Sequence, residues 1–332
     1  MVSNVFLSLC ALWFLVLGTM GSGSAVAQSA NKVWKVGILW HAGTPQEEEV
    51  MFRPLVEGLR ELGYIEGRNL VFEHTYVNED YSGFPARAQE LIDRKVDIIL
   101  ASVAPAALAA NRLTKTIPIV FATSGDPVKI GLVKSIRQPG GNVTGLSLFV
   151  SELTAKHLEI LRKFVPDLAR VAILWYPRNQ DHPLALQETE RAAEQLKLQT
   201  IRVAVNGPED FDNAFSVITK ADVNGLIVLG DAMLRVNHKP IVQFATKARL
   251  PAVYAARDYV DAGGLVSYGV CIPCNFKRSA AFIDKILKGT KPTDLPVELP
   301  AQFTMVVNGK TAKMLGLTVP QSVILAADEV LE

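Results

Sequence analysis

Val36-Gly37-Ile38-Leu39-Trp40 returns later in the chain as Val171-Ala172-Ile173-Leu174-Trp175. Each copy is an apolar, β-branched run of strand length, preceded by a basic residue, Lys35 or Arg170. Each ends in a polar or proline-containing loop and then a helical pattern. One such strand–loop–helix unit founds one α/β lobe. Two in tandem predict two similar lobes, with a ligand held in the cleft between them.

The rest of the chain follows the same plan. Strand-like runs at 35–40, 69–76, 96–101, 117–122 and 142–147 alternate with helical patterns at 47–62, 84–94, 105–113 and 127–136. The helix at 47–62 would bury Val50, Leu55, Leu59 and Leu62. The second half reads as helix 152–164, strand 170–175, helix 184–196, strand 198–203, helix 210–221, strand 225–229, helix 239–248 and strands 252–255 and 264–267. Helix 276–288, a proline-rich linker, strand 303–307 and helix 309–315 complete it. This spacing predicts an α/β fold of two doubly wound parallel-sheet lobes around a central cleft. The first lobe is expected over 34–147 with 270–290 returning to it, and the second over 148–269 with 300–332.

The first thirty residues carry no charged side chain. The apolar run Val5 to Leu17, then small residues and Ala25-Val26-Ala27, reads as a signal peptide over 1–27 cleaved near Ala27. The run is short for a bilayer span of ~20 residues. Cys10 follows Leu9 rather than a small residue, which argues against a lipoprotein cysteine. An exported, periplasmic protein is therefore expected. Charge is balanced, 34 basic against 33 acidic residues, so nothing marks a nucleic-acid partner.

In an open parallel sheet, ligands bind at the carboxyl ends of the strands. Reading just past each strand gives Trp40 and His41; Ser102, Ala104 and Pro105; Thr123, Ser124 and Asp126; and Ser147 from the first lobe. The second offers Trp175, Tyr176 and Asn179, then Asp231, then Arg257 and Asp258. Hydroxyls and helix-opening amides suit an anionic group such as a carboxylate. Asp231 and Asp258 suit an ammonium, Arg257 a carboxylate, and Trp40, Trp175 and Tyr176 a flat or apolar surface. Each has a structural alternative: a cap for the hydroxyls and Asp126, core packing for the tryptophans, a surface ion pair for Arg257 and Asp258.

Catalytic patterns are absent. There is no G-x-G-x-x-G. Gly125 to Gly131 resembles a phosphate loop only until Leu132 and Val133 replace the Lys and Ser/Thr, and Phe149 stands where a nucleophile elbow around Ser147 needs Gly. The five histidines have no metal-ligand spacing. Asn142-Val143-Thr144 is a glycosylation sequon by letter only. Cys271-Ile272-Pro273-Cys274 reads as a local disulfide or inert thiols, with a redox motif as the alternative. The pattern favours binding over chemistry, with no cofactor and no metal.

Several blocks resemble one family. They are Asp97 to Ala101 followed by Ala104 to Ala107; Ile117 to Phe121 with Gly125-Asp126-Pro127-Val128; and Pro139-Gly140-Gly141-Asn142-Val143-Thr144-Gly145. Glu57 to Tyr64, Gly263 to Gly269 and Ala312 to Pro320 belong to the same pattern. Together they resemble the substrate-binding proteins of ABC transporters of the tryptophan/tyrosine-type uptake group, which have a type I periplasmic-binding fold. The resemblance implies a monomeric receptor that takes a small solute, amino-acid-like or carboxylate-bearing, between hinged lobes and delivers it to a membrane permease. Ala104 departs from the Thr common there, and the 40–46 loop lacks the acidic–His–Pro run of aromatic amino-acid receptors. An exported sensory module or, through Cys271 and Cys274, a redox protein are the alternatives.

Overall fold

A computed structural model describes residues 32–148, 150–300 and 303–332. The signal peptide and cleavage site expected over 1–27 lie outside the described residues.

The first half lays down β1 (Trp34–Trp40), α1 (Pro45–Glu61), β2 (Leu70–Tyr76), α2 (Phe84–Asp93), β3 (Ile98–Ala101), α3 (Ala104–Leu113), β4 (Ile119–Ser124) and β5 (Val143–Ser147). These strands form a sheet in the order β2-β1-β3-β4-β5, parallel throughout. The chain crosses into α4 (Val150–Phe164) and the second half. There it forms β6 (Arg170–Trp175), α5 (His182–Gln195), β7 (Gln199–Ala204), α6 (Phe211–Lys220), β8 (Gly225–Val228), α7 (Ala232–Val236), α8 (His238–Lys247), β9 (Ala252–Tyr254), α9 (Arg257–Asp261) and β10 (Val266–Val270). Helix α10 (Ile272–Leu287) returns to the first sheet. Strand β11 (Phe303–Asn308), α11 (Gly309–Met314), α12 (Gln321–Ile324) and β12 (Glu329–Leu331) rejoin the second.

The second sheet runs β12-β11-β10-β9-β8-β6-β7, parallel except where β11 pairs antiparallel with β10. The repeated strands hold equivalent places: β1 lies between β2 and β3, and β6 between β7 and β8. The fold is thus α/β, two-lobed and dominated by parallel sheets.

Local chemistry explains the elements that shape the cleft. Helix α1 opens with a capping box, Thr44 Oγ1 accepting from Glu47 N while the Glu47 carboxylate accepts from Thr44 N. Its buried face is Met51, Leu55 and Leu59. Val50 and Leu62, expected on that face, are exposed; they sit off the i, i+4 row of the other three. Phe276, Ala280, Ile283 and Leu287 of α10 complete this core beneath β1 and β3.

The helix expected over 127–136 is instead a set of single turns. Ile130 N reaches Asp126 O, and Leu132 N and Val133 N share Pro127 O. Gly131 sits at φ +72° and reverses the chain before a second turn can form. The apolar pattern is still used, since Leu132 and Val133 are buried. The short helices α7 and α9, the tail helix α12 and strand β12 are additions to the sequence reading.

Cys271 and Cys274 form a disulfide. It lies at the start of α10, where the chain passes from the second sheet to the first. Another segment between the sheets runs alongside β5: Ser147 N donates to Glu298 O, and Glu298 N to Gly145 O.

Candidate ligand-binding cleft

The carboxyl ends of both sheets face one cavity. Ser102, Val103, Ala104 and Pro105 follow β3; Thr123, Ser124 and Gly125 close β4; Asn179, Asp181 and His182 follow β6; Gly230 and Asp231 follow β8. The cavity measures about 120 Å3, where a single water needs ~10–15 Å3 on the same scale. It takes a small organic molecule rather than one ion or water.

The wall from the first lobe is built of hydroxyls and helix-opening amides. Ser102 Oγ donates to Leu39 O at 3.0 Å and Thr123 Oγ1 to Ser102 O at 2.8 Å. Each hydroxyl spends its proton on the backbone and keeps oxygen lone pairs. Ser124 Oγ is buried with no partner among the described residues. Helix α3 opens at Val103, whose side chain cannot cap it, so the first-turn amides keep no side-chain acceptor.

The second lobe supplies carboxylates. Asp231 caps α7, accepting from Leu234 N at 3.1 Å, and also accepts from Asn179 Nδ2 at 2.8 Å. Asp181 reaches across the cleft to accept from Gly125 N at 2.8 Å, and its other oxygen has no hydrogen-bond partner among the described residues. Burial raises the Asp181 carboxyl above its ordinary value, against the lowering effect of the Gly125 and Asp126 amides. His182 Nδ1 accepts from Tyr176 N at 2.9 Å.

A buried charge cluster flanks this wall. His41 Nδ1 lies 3.0 Å from Glu79 Oε1, and its Nε2 is 3.5 Å from Glu48 Oε1. Glu48, buried in α1, also accepts from Ala42 N. Burial alone would lower the imidazole, but Glu48, Glu79 and Asp231 together raise it to about 9. Burial pushes the Glu79 carboxyl up, partly offset by His41.

His41 therefore contributes stability that is fully present below its ordinary value near 6.5 and is lost as pH rises through about 9. That difference is worth on the order of 3 kcal/mol. The Tm of the wild type is expected to fall between pH 7 and 10, and the fall to flatten in His41→Gln; equal slopes in the two proteins would refute it.

The lobes touch directly around the cavity. Tyr176 Oη donates to the Glu79 carbonyl at 3.1 Å, Arg178 pairs with Asp80 at 3.3 Å, and Lys129 with Glu188 at 3.4 Å.

Of the residues picked from sequence, His41, Ser102, Ala104, Pro105, Thr123, Ser124, Asn179 and Asp231 line the cavity. Seven do not. Trp40 is buried, its Nε1 donating to His74 Nδ1 at 3.0 Å, and it stacks behind the wall residue Phe276. Trp175 packs on the second-lobe core. Tyr176 bridges the lobes rather than facing the cavity. Asp126 caps its own turn through Val128 N and Lys129 N, and Ser147 Oγ donates to Gly125 O. Arg257 is turned by helix α9 toward Glu329 and Asp261, and Asp258 pairs with Arg235.

Sequence reading missed Asp181, His182, Arg235, His157, Leu153 and Phe276 on the wall. Asp181 and His182 follow Asn179 in one loop, and Arg235 is one helical turn beyond Asp231; extending each loop by a turn would have found them. His157 and Leu153 lie within α4, and Phe276 within α10, where only tertiary packing brings them to the cleft.

The cavity set between two lobes has parallels among known proteins. The family model described as ABC transporter substrate binding protein matches residues 47–331. A curated protein of Clostridioides difficile (strain R20291) named tyrosine-binding protein is 26% identical over 302 residues, covering 90% of this chain and 86% of that one. The crystal structure of a conserved domain protein from Vibrio cholerae superposes with a TM-score of 0.83 at 26% identity, over 90% of this chain and all of that one. An ABC domain from Streptococcus pneumoniae, solved in complex with L-Trp, gives 0.82 at 25% identity over the same shares. The chain belongs to the ABC transporter substrate-binding protein family and has its two-lobed, type I periplasmic-binding fold.

Proposed function

We propose that the protein captures one amino acid with a large apolar side chain between its lobes and hands it, outside the cytoplasm, to the membrane permease of an ABC uptake system. The observation that carries this reading is the division of the cavity wall. Carboxylates at Asp231 and Asp181 and the acceptor oxygens of Ser102 and Thr123 suit an ammonium group. The uncapped start of α3 and the Ser124 hydroxyl suit a carboxylate. Met51, Leu148, Leu153, Leu229, Val270 and Phe276 leave apolar surface for a side chain. The relatives named for tyrosine and solved with L-Trp support an aromatic amino acid.

The hinge motion belongs to the same proposal. The contacts of Tyr176 and Arg178 with the 79–80 loop, and of Asp181 with Gly125, are those a closed form would gain and an open form lose.

Thermal unfolding of the protein with L-tyrosine, L-tryptophan, L-leucine and glucose tests it. At ~100 times the dissociation constant, an aromatic amino acid is expected to add ~2.7 kcal/mol and raise Tm, while glucose adds nothing. No response to any amino acid would overturn the reading.

A further inference from the structure

We propose that His157 selects the ligand by accepting a hydrogen bond from a ring O–H or ring N–H on its side chain, an inference that rests on the amino-acid reading above. His157 belongs to α4 and lines the cavity with Leu153, one helical turn earlier. Its Nε2 lies 2.6 Å from the Tyr268 carbonyl oxygen. A carbonyl can only accept, so the ring proton is on Nε2 and Nδ1 carries a bare lone pair. That Nδ1 is buried and has no partner among the described residues. A buried acceptor left unpaired costs ~1–3 kcal/mol, and the cavity that His157 lines is the space from which a ligand donor could reach it.

The surroundings fix what that partner is. Leu148, Leu153, Val270, Ile272 and Phe276 are apolar lining residues of the same cavity, and Thr154, one turn before His157, adds a hydroxyl to it. Burial lowers the imidazole to about 4, only partly opposed by the Tyr268 carbonyl. At neutral pH the ring is therefore uncharged, and Nδ1 stays an acceptor. A neutral acceptor among apolar side chains rewards a flat apolar group with one donor on its edge. It gives nothing to a purely hydrocarbon side chain.

Calorimetric titration with two ligand pairs tests this: L-tyrosine against L-phenylalanine, and L-tryptophan against 1-methyl-L-tryptophan. In the wild type, the donor-bearing member of at least one pair is expected to bind ~10–100-fold tighter. His157→Gln keeps an amide N–H for the Tyr268 carbonyl but places no acceptor at the Nδ1 position. It is expected to erase that preference, bringing the two members of the pair to within about threefold of each other, and a melting curve of the ligand-free variant checks that it folds. Equal binding within both pairs by the wild type, or a preference that survives in His157→Gln, would overturn the role of His157 and leave the amino-acid reading standing. If none of the four binds the wild type, this inference falls, and the amino-acid reading falls with it only if L-leucine fails to bind as well.

Discussion

Replacing Asp231 by Asn is expected to weaken binding of an aromatic amino acid by about 10²–10³-fold, ~3–4 kcal/mol, with a loss of only about 1 kcal/mol in the stability of the free protein. The two effects separate because Asp231 does two things. As the cap of α7 it accepts from Leu234 N, and it also accepts from Asn179 Nδ2. Asn is an equally good helix cap, so the α7 start survives. What it cannot supply is the second acceptor oxygen for Asn179 Nδ2, or negative charge beside a ligand ammonium, where a charge-assisted bond is strongest. Calorimetry with L-tyrosine or L-tryptophan, alongside a melting curve, reads both quantities. An Asp231→Asn protein binding within threefold of the wild type would mean that the ammonium is held elsewhere.

A second large effect is expected from Gly269→Ala, this time on the fold. Gly269 is in β10, and a Cβ there would stand 1.9 Å from the Ala255 carbonyl oxygen and 2.9 Å from its carbon. The obstacle is backbone on both sides, so no side chain can swing away. Relief requires β10 to move from the segment after β9, at a cost of about 3–5 kcal/mol and a fall in Tm on the order of 10 °C. Ala255 and Val270 both line the cavity, so ligand affinity should fall too. Gly141→Ala is the control: nothing lies within 4 Å of its Cβ and its φ is not positive. A Gly269→Ala protein as stable as that control would show that the two segments can part without loss.

The architecture was legible because it rests on periodicity. The two Val-x-Ile-Leu-Trp runs are buried strands, and the same neighbours in each half put them in equivalent places. The tryptophans they carry were misplaced at the cleft edge, although the correction was present in the same five letters. Side chains alternate along a strand. Val36, Ile38 and Trp40 therefore share one face, and that face is the core under α1 and α10. Val171, Ile173 and Trp175 likewise share the α4 and α5 side.

Arg257 illustrates a different limit. It stands just past a strand, as a ligand residue would, but the five-residue helix α9 begins there and aims it at Glu329, 72 residues later. No local pattern marks so short a helix. His157 is the converse, a cavity residue in the middle of an amphipathic helix. Nothing in its neighbours separates it from a core histidine.

The return of α10 has a bearing on how the molecule is made. Tyr64 of the first lobe is hydrogen-bonded to Asp284, 220 residues further on, and Phe276, Phe282, Ile283 and Leu287 close the core begun by β1. The second sheet in turn needs β11 and β12 from the last thirty residues. No N-terminal fragment of the growing chain contains a finished lobe. Contacts this distant in sequence slow folding, because each must close a long loop before it is rewarded. The chain thus leaves the ribosome almost entire before either half can lock: the first waits for α10, more than four-fifths of the way along, and the second for the final tenth.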